Sequence, residues 1–255
     1  MMTSDVWWEA AGPEDGPLVV LVHGSMDRGA GLLKLSRRLV DRHRVVRYDR
    51  RGYGRSVSLG GPYDVRSHVV DLERLLDGRR AVVFGHSYGG NVALGLAAGC
   101  ELVQAVAVYE TPVSWMDWWP SRTAGGDALT TEAGSVLQPA AAAERFMRRL
   151  IGDARWQRLP APTRAARRAE GEAMVGELDD LRRRAPWDPD AVTVPVVAMR
   201  GTDGAEHHLR STTYLGEVLP DCRIVDIVGA RHFGPNTHPD AVAGVIAELV
   251  SQRSA

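Results

Sequence analysis

Apolar residues follow two alternating rhythms along this chain. Six short runs, LVVLV (18–22), RVVRY (44–48), AVVF (81–84), VQAVAVY (103–109), VPVVAM (194–199) and CRIVDIV (222–228), are continuous and rich in β-branched residues. Runs of that length and composition predict strands buried on both faces. Between them apolar residues return every three or four positions. Leu32, Leu33, Leu35, Leu39 and Val40 predict a helix within 28–40, and Val65, Val69, Leu72, Leu75 and Leu76 one over 65–76. A small-residue helix is expected over 90–98, with others over 206–219 and 238–250. Strands alternating with helices need right-handed crossovers, which give a mostly parallel sheet with helices on both faces. The predicted fold class is α/β.

One segment breaks the rhythm. Residues 113–190 contain no convincing strand, five tryptophans (Trp115, Trp118, Trp119, Trp156 and Trp187), and helical stretches near 139–151, 160–175 and 176–184. They read as a helical cap inserted between two strands of a core made of residues 1–112 and 191–255. Such an insertion sits over the C-terminal edge of the sheet, where open α/β sheets bind ligands. Residues 1–17 have room for one strand or a tight hairpin, so the sheet is expected to lack a full first strand.

Composition narrows the class further. The 255 residues are 44% apolar and 25% charged, with a net charge of -1. A chain of that size builds a core without metal or disulfides. Near-neutral charge argues against nucleic acid or an anionic membrane as partner. Cys100 and Cys222 make no metal-binding pattern. With no signal-like N-terminus and no apolar run of spanning length, a cytoplasmic protein is expected. The cluster Arg182-Arg183-Arg184 reads as a solvated helix face.

The candidate chemistry lies in RAVVFGHSYGGN (80–91). Ser87 falls between a buried strand and a helix of small residues. A sharp turn there lifts the hydroxyl clear of the sheet, and the helix N-terminus favours negative charge beside it. Gly85 and Gly89 leave room for the turn. A serine nucleophile needs a base, and eight histidines compete. His232, in GARHFGP after the last strand, lies at the same sheet edge and is taken as the base. His23 reads as shaping its own loop, and His86 as pointing away from Ser87. His43 and His68 read as surface positions, His207 and His208 as solvated residues opening a helix, and His238 as a helix start. An acyl-transfer intermediate needs two donors for its oxyanion. The N–H groups of Tyr88 and Ser25 are the candidates.

LVHGSM, YDRRGYGRS, GHSYGGNVAL and GARHFGPNTHPD, in this order, resemble the α/β-hydrolase family over nearly the whole chain. The resemblance implies a mostly parallel sheet, a helical cap over the pocket, and an architectural role for Asp49 to Ser56. It leaves the third triad member open. Asp203 follows the strand where the family commonly places its acid, but the local spacing is one residue short. Glu110 ends the strand after Ser87's helix, and some members of the fold, including a branch of the haloalkane dehalogenases, place a glutamate there. Both keep the order nucleophile, acid, histidine. Glu110 is taken as the acid and Asp203 as the alternative.

The function expected is ester hydrolysis by Ser87, His232 and this acid, with no metal or organic cofactor. Trp115, Trp118 and Trp119 suggest a small-molecule substrate with an apolar or aromatic portion. The same triad also serves C–C bond, lactone or epoxide hydrolysis and cofactor-free perhydrolysis, and a non-catalytic ligand-binding homologue would keep the same shell. Oligomeric state is not legible.

Overall fold

The computed structural model describes residues 5–120, 129 and 137–253. Seven strands, β1 (Trp8–Ala11), β2 (Leu18–Val22), β3 (Arg44–Tyr48), β4 (Ala81–His86), β5 (Val103–Tyr109), β6 (Val196–Gly201) and β7 (Cys222–Ile227), form one sheet in the order β1-β3-β2-β4-β5-β6-β7. β1 runs antiparallel to β3, and every other neighbour is parallel. Among the described residues the N-terminal segment therefore contributes one edge strand and no hairpin. β6 starts two residues later than the apolar run because Pro195 has no N–H to give the ladder. Its carbonyl still accepts from Val106, at 3.0 Å.

The helices are α1 (Leu33–Leu39), α2 (Val65–Leu76), α3 (Tyr88–Ala97), α4 (Pro139–Ile151), α5 (Asp153–Arg158), α6 (Ala161–Ala169), α7 (Gly171–Arg183), α8 (Glu206–Val218), α9 (Gly234–Thr237) and α10 (Pro239–Ser251). α2 shows how local chemistry sets limits. Asp64 caps it by accepting from the Ser67 N–H at 2.7 Å, and Asp77 ends it in a left-handed conformation.

The period-two geometry of strands divides the core. Val20 and Val22 of β2 point into one cluster with Leu72 and Leu75 of α2 and Val92 of α3. Val19 and Leu21 point the other way, to Leu35 and Leu39 of α1 and Ile246 and Leu249 of α10. The crossovers explain the split. The chain leaves β2 for β3 over one face, then returns past β2 to β4 over the other. β2 and β4 thus flank the point where strand order reverses, the expected place for a ligand crevice.

The inserted helices α4 to α7 form a third apolar cluster, in which Phe146, Met147, Trp156 and Met174 meet Met26 and Tyr53 from loops after β2 and β3. Between β5 and β6 the described residues form no strand; positions 121–128 and 130–136 lie outside the description. The inserted helices differ from expectation in two places: α5 lies between the expected stretches, and the expected helix over 160–175 is broken. α6 stops at Ala169, Glu170 turns inward to Arg28 (2.6 Å) and to the Gly54 N–H (2.9 Å), and α7 restarts at Gly171.

Candidate active site

Ser87 sits at the tip of β4 with φ 54° and ψ -124°. A side chain held there costs roughly 1–3 kcal/mol, so the surrounding structure must impose it. The Ser87 N–H bonds the Tyr109 carbonyl at 2.9 Å, and its carbonyl accepts from Gly90 at 2.8 Å. Gly89 must be glycine because a Cβ there would come within 2.7 Å of the His23 carbonyl oxygen. Among the described residues only Met26, Asp77, Ser87 and Glu110 are non-glycine residues with positive φ. Asp77 is the helix cap already noted. Of the other three, Met26 and Ser87 line one cavity and Glu110 bonds His232 in its wall.

His232 follows β7 in a loop held from three sides. The His86 ring donates from Nε2 to the His232 carbonyl at 2.7 Å, the Tyr109 hydroxyl donates to the Arg231 carbonyl at 2.9 Å, and the Asp203 N–H donates to the Ala230 carbonyl at 3.0 Å. His86 is therefore an anchor for the histidine loop as well as Ser87's neighbour. Burial, aided by nearby His232, lowers its pKa to about 3, so the ring stays neutral.

The His232 Nδ1 lies 2.8 Å from Glu110 Oε2, and Glu110 is fully buried. Its second oxygen accepts from the Gly201 N–H at 3.0 Å. A Cβ on Gly204 would lie 2.7 Å from Glu110 Oε1, so the Glu110 carboxylate fills the space under the β6 loop. Asp203 is exposed, and its carboxylate meets Thr202 Oγ1 at 3.4 Å. The structure brings Ser87, His232 and Glu110 together and leaves the Asp203 carboxylate apart from them.

Ser25 and Tyr88 both line the crevice. Tyr88 opens α3, where the first N–H groups have no partner within the helix. Two cavities meet at Ser87, of about 260 and 470 Å³, and both are lined by Ser25, Ser87, Phe146, Leu150 and His232. The smaller runs towards Met26, Met147 and Ile151. The larger runs towards Trp119, Leu178, Leu181 and Arg182. Arg182, Arg183 and Arg184 are all exposed, as a solvated face requires, and Arg182 also lines the larger cavity. Trp119 alone of the three candidate tryptophans lines either cavity. Trp115 packs edge-on against Trp187 and Trp118 lies under Arg210, with ring contacts of 5.8 and 4.2 Å.

Four histidines differ from their sequence reading. His43 and His68 are buried, 7% and 1% exposed. His207 and His208 open α8 at the crevice wall. The His208 ring stacks on His232 at 4.3 Å, and His207 lies edge-on to Trp119 at 4.9 Å. Burial lowers both pKa values, with His232 reinforcing the effect. Only the fold brings α8 to this wall, so no local signal marked them.

Glu110, His208 and His232 are the one group of three potential metal ligands among the described residues, their atoms within 4.8 Å. The two rings are only 13° from parallel. Imidazole lone pairs lie in the ring plane, so stacked rings aim theirs side by side and not at a shared centre. The arrangement suits a hydrogen-bonded His–Glu pair with a stacked neighbour better than a cation.

A strained serine between strand and helix at the reversal point of a mostly parallel sheet, with a histidine and a buried acid beside it, fits one class. The chain belongs to the alpha/beta hydrolase family, whose sequence model matches residues 19–245. It is 27% identical to 2-(acetamidomethylene)succinate hydrolase of Mesorhizobium japonicum, over 92% of this chain and 88% of that one. It is 39% identical to the AB hydrolase superfamily protein YfhM of Bacillus subtilis, in a match spanning 35% of this chain and 33% of that protein. In fold it is similar to a thermophilic esterase from Thermogutta terrifontis, with a TM-score of 0.74 and 20% identity over 98% of this chain and 94% of that one.

Proposed function

We propose that this hydrolase cleaves carboxylic esters of small molecules through an acyl-enzyme on Ser87, with His232 as base and Glu110 as the orienting acid. The observation that carries the proposal is the 2.8 Å bond between His232 Nδ1 and buried Glu110, beside a serine held at φ 54°. With Nδ1–H donated to Glu110, the Nε2 lone pair is left to accept a proton.

His232 Nε2 takes the Ser87 proton as Oγ attacks the ester carbonyl. The N–H groups of Tyr88 and Ser25 hold the oxyanion, aided by the α3 N-terminus. The imidazolium, stabilised by Glu110, then protonates the departing alkoxide. Water enters, His232 deprotonates it, and the second tetrahedral intermediate collapses to the free acid and Ser87. The inserted helices act as a cap, and the two cavities take the acyl and alcohol arms. Trp119, Phe146 and Leu150 favour an apolar portion on the substrate. The setting we propose is cytoplasmic.

A fluorophosphonate probe and p-nitrophenyl butyrate test this together. The wild-type protein is expected to label and to turn over, and Ser87→Ala to do neither. An unlabelled wild type, or equal labelling of Ser87→Ala, contradicts the proposal.

A further inference from the structure

The segment Asp49 to Ser56 carries a charge that the proposed mechanism does not use. Arg50 is fully buried and, among the described residues, meets a single carboxylate, that of Glu177, contributed by α7 of the inserted helices. Burial alone would raise the Glu177 pKa, but Arg50 and His68 outweigh it and hold it down to about 2. Glu177 is therefore ionised and needs its oxygens satisfied. Four groups do this. Oε1 takes Arg50 and His68 Nε2, the latter at 2.9 Å, and Oε2 takes the Tyr53 hydroxyl at 2.7 Å and the Ser25 hydroxyl at 2.6 Å.

The last of these contacts is the telling one. Ser25 is a candidate oxyanion donor through its N–H, and its side chain is tied to a residue 152 positions away. The other candidate donor, Tyr88, lays its ring over the same Arg50, 4.8 Å from the guanidinium carbon. Arg50 also holds the strand end before Ser25, because its N–H donates to His23 Nε2 at 2.9 Å and its Nε to the His23 carbonyl at 3.0 Å. One buried ion pair thus contacts both residues proposed to bind the oxyanion, and half of the pair comes from the inserted helices. Buried ion pairs are weak devices for stability, since burying both charges offsets most of their attraction. Their fixed, directional contacts suit them to setting geometry.

We infer that Glu177 is a positioning residue for catalysis: by completing the Arg50 cluster it sets the Ser25 loop and the start of α3 so that their N–H groups converge on the oxyanion. The inserted helices then assemble the catalytic centre as well as shaping the substrate cavity. The inference rests on the proposed ester hydrolysis at Ser87.

The test is a double-mutant cycle on the full chain with p-nitrophenyl butyrate, using Glu177→Gln, Ser25→Ala and the double variant, with Ser87→Ala alongside. Loss of one oxyanion donor costs on the order of 10²–10³ in kcat, and a misplaced donor less. Glu177→Gln is expected to lower kcat by about 10- to 100-fold with KM within about 2-fold. Because the Ser25 hydroxyl acts through its bond to Glu177, the double variant should be no slower than the slower single. An unchanged kcat, a change in KM alone, or a double variant slowed by the product of the two singles overturns the inference. If Glu177→Gln loses the folded far-UV spectrum, Ser25→Ala, which leaves the ion pair intact, decides the matter: lowered kcat with unchanged KM supports the tether, and wild-type kcat overturns it. Full activity in Ser87→Ala, or no turnover by the wild type, would instead strike at the proposed ester hydrolysis on Ser87, so the two failures are distinguishable.

Discussion

Glu110 stands in the left-handed region at φ 46°, fully buried, with each oxygen bonded to a different partner. A carboxylate so placed can orient an imidazole and stabilise its cation without exchanging with water. An amide in its place offers the wrong group to Nδ1–H, which costs a comparable triad on the order of 10⁴ in kcat. Glu110→Gln is accordingly expected to lower kcat for p-nitrophenyl butyrate by about 10³- to 10⁴-fold. Asp203→Asn, at an exposed carboxylate, is expected to stay within about 2-fold of wild type. Steady-state kinetics on the pair checks both, and the opposite ranking would move the acid to Asp203. At this scale the sequence carried Ser87 and His232 by their positions at strand ends. It raised Glu110 as one of two acids, because a strand end marks a residue's level in the sheet but not the direction of its carboxylate. Glu177 and His208 were illegible. Their partners lie 152 and 24 residues away in sequence and share no local pattern with them.

The elements were more legible, since each is written in a local period. The six apolar runs became β2 to β7, and 65–76 became α2. The inserted helices were read less well. Glu170 ends α6 by bonding to Arg28 and Gly54, a tertiary cause that periodicity does not encode. The elbow shows tertiary contacts overriding propensity. Alanine at Gly89 would gain up to about 1 kcal/mol in an ordinary helix. Here its Cβ would come within 2.7 Å of the His23 carbonyl oxygen, in a strand end fixed by Arg50. Backbone overlap of that kind exceeds the gain, so Gly89→Ala is expected to destabilise by about 1–3 kcal/mol. Its urea midpoint should fall, and a rise would show that the elbow is slack.

Across the whole molecule, three buried histidines and the half-buried His208 share one property. His23, His68, His86 and His208 all have lowered pKa values, burial being the largest cause in each, followed by Arg50 for the first two and by His232 for the others. In the unfolded chain each titrates near 6.5, so below that pH the unfolded state binds more protons than the folded one. Stability is therefore full above about pH 7 and falls as pH drops through 6.5 towards the folded values. For His86, at about 3, the loss at pH 5 is ~2 kcal/mol. Glu177 acts in the same direction at lower pH, since its contribution is present above its unfolded value and lost as pH falls towards about 2. The urea midpoint is expected to decline steadily from pH 7 to pH 5, and a flat profile would mean that the buried rings accept protons without cost.

The central claim is that Ser87 carries the acyl group during turnover. Acid-quenching the protein while it hydrolyses p-nitrophenyl butyrate, followed by peptide mass mapping, tests it most directly. The account predicts a butyryl adduct on the peptide containing Ser87, absent from Ser87→Ala, which should show no turnover. Steady turnover with no adduct on that peptide, retained in Ser87→Ala, would contradict it.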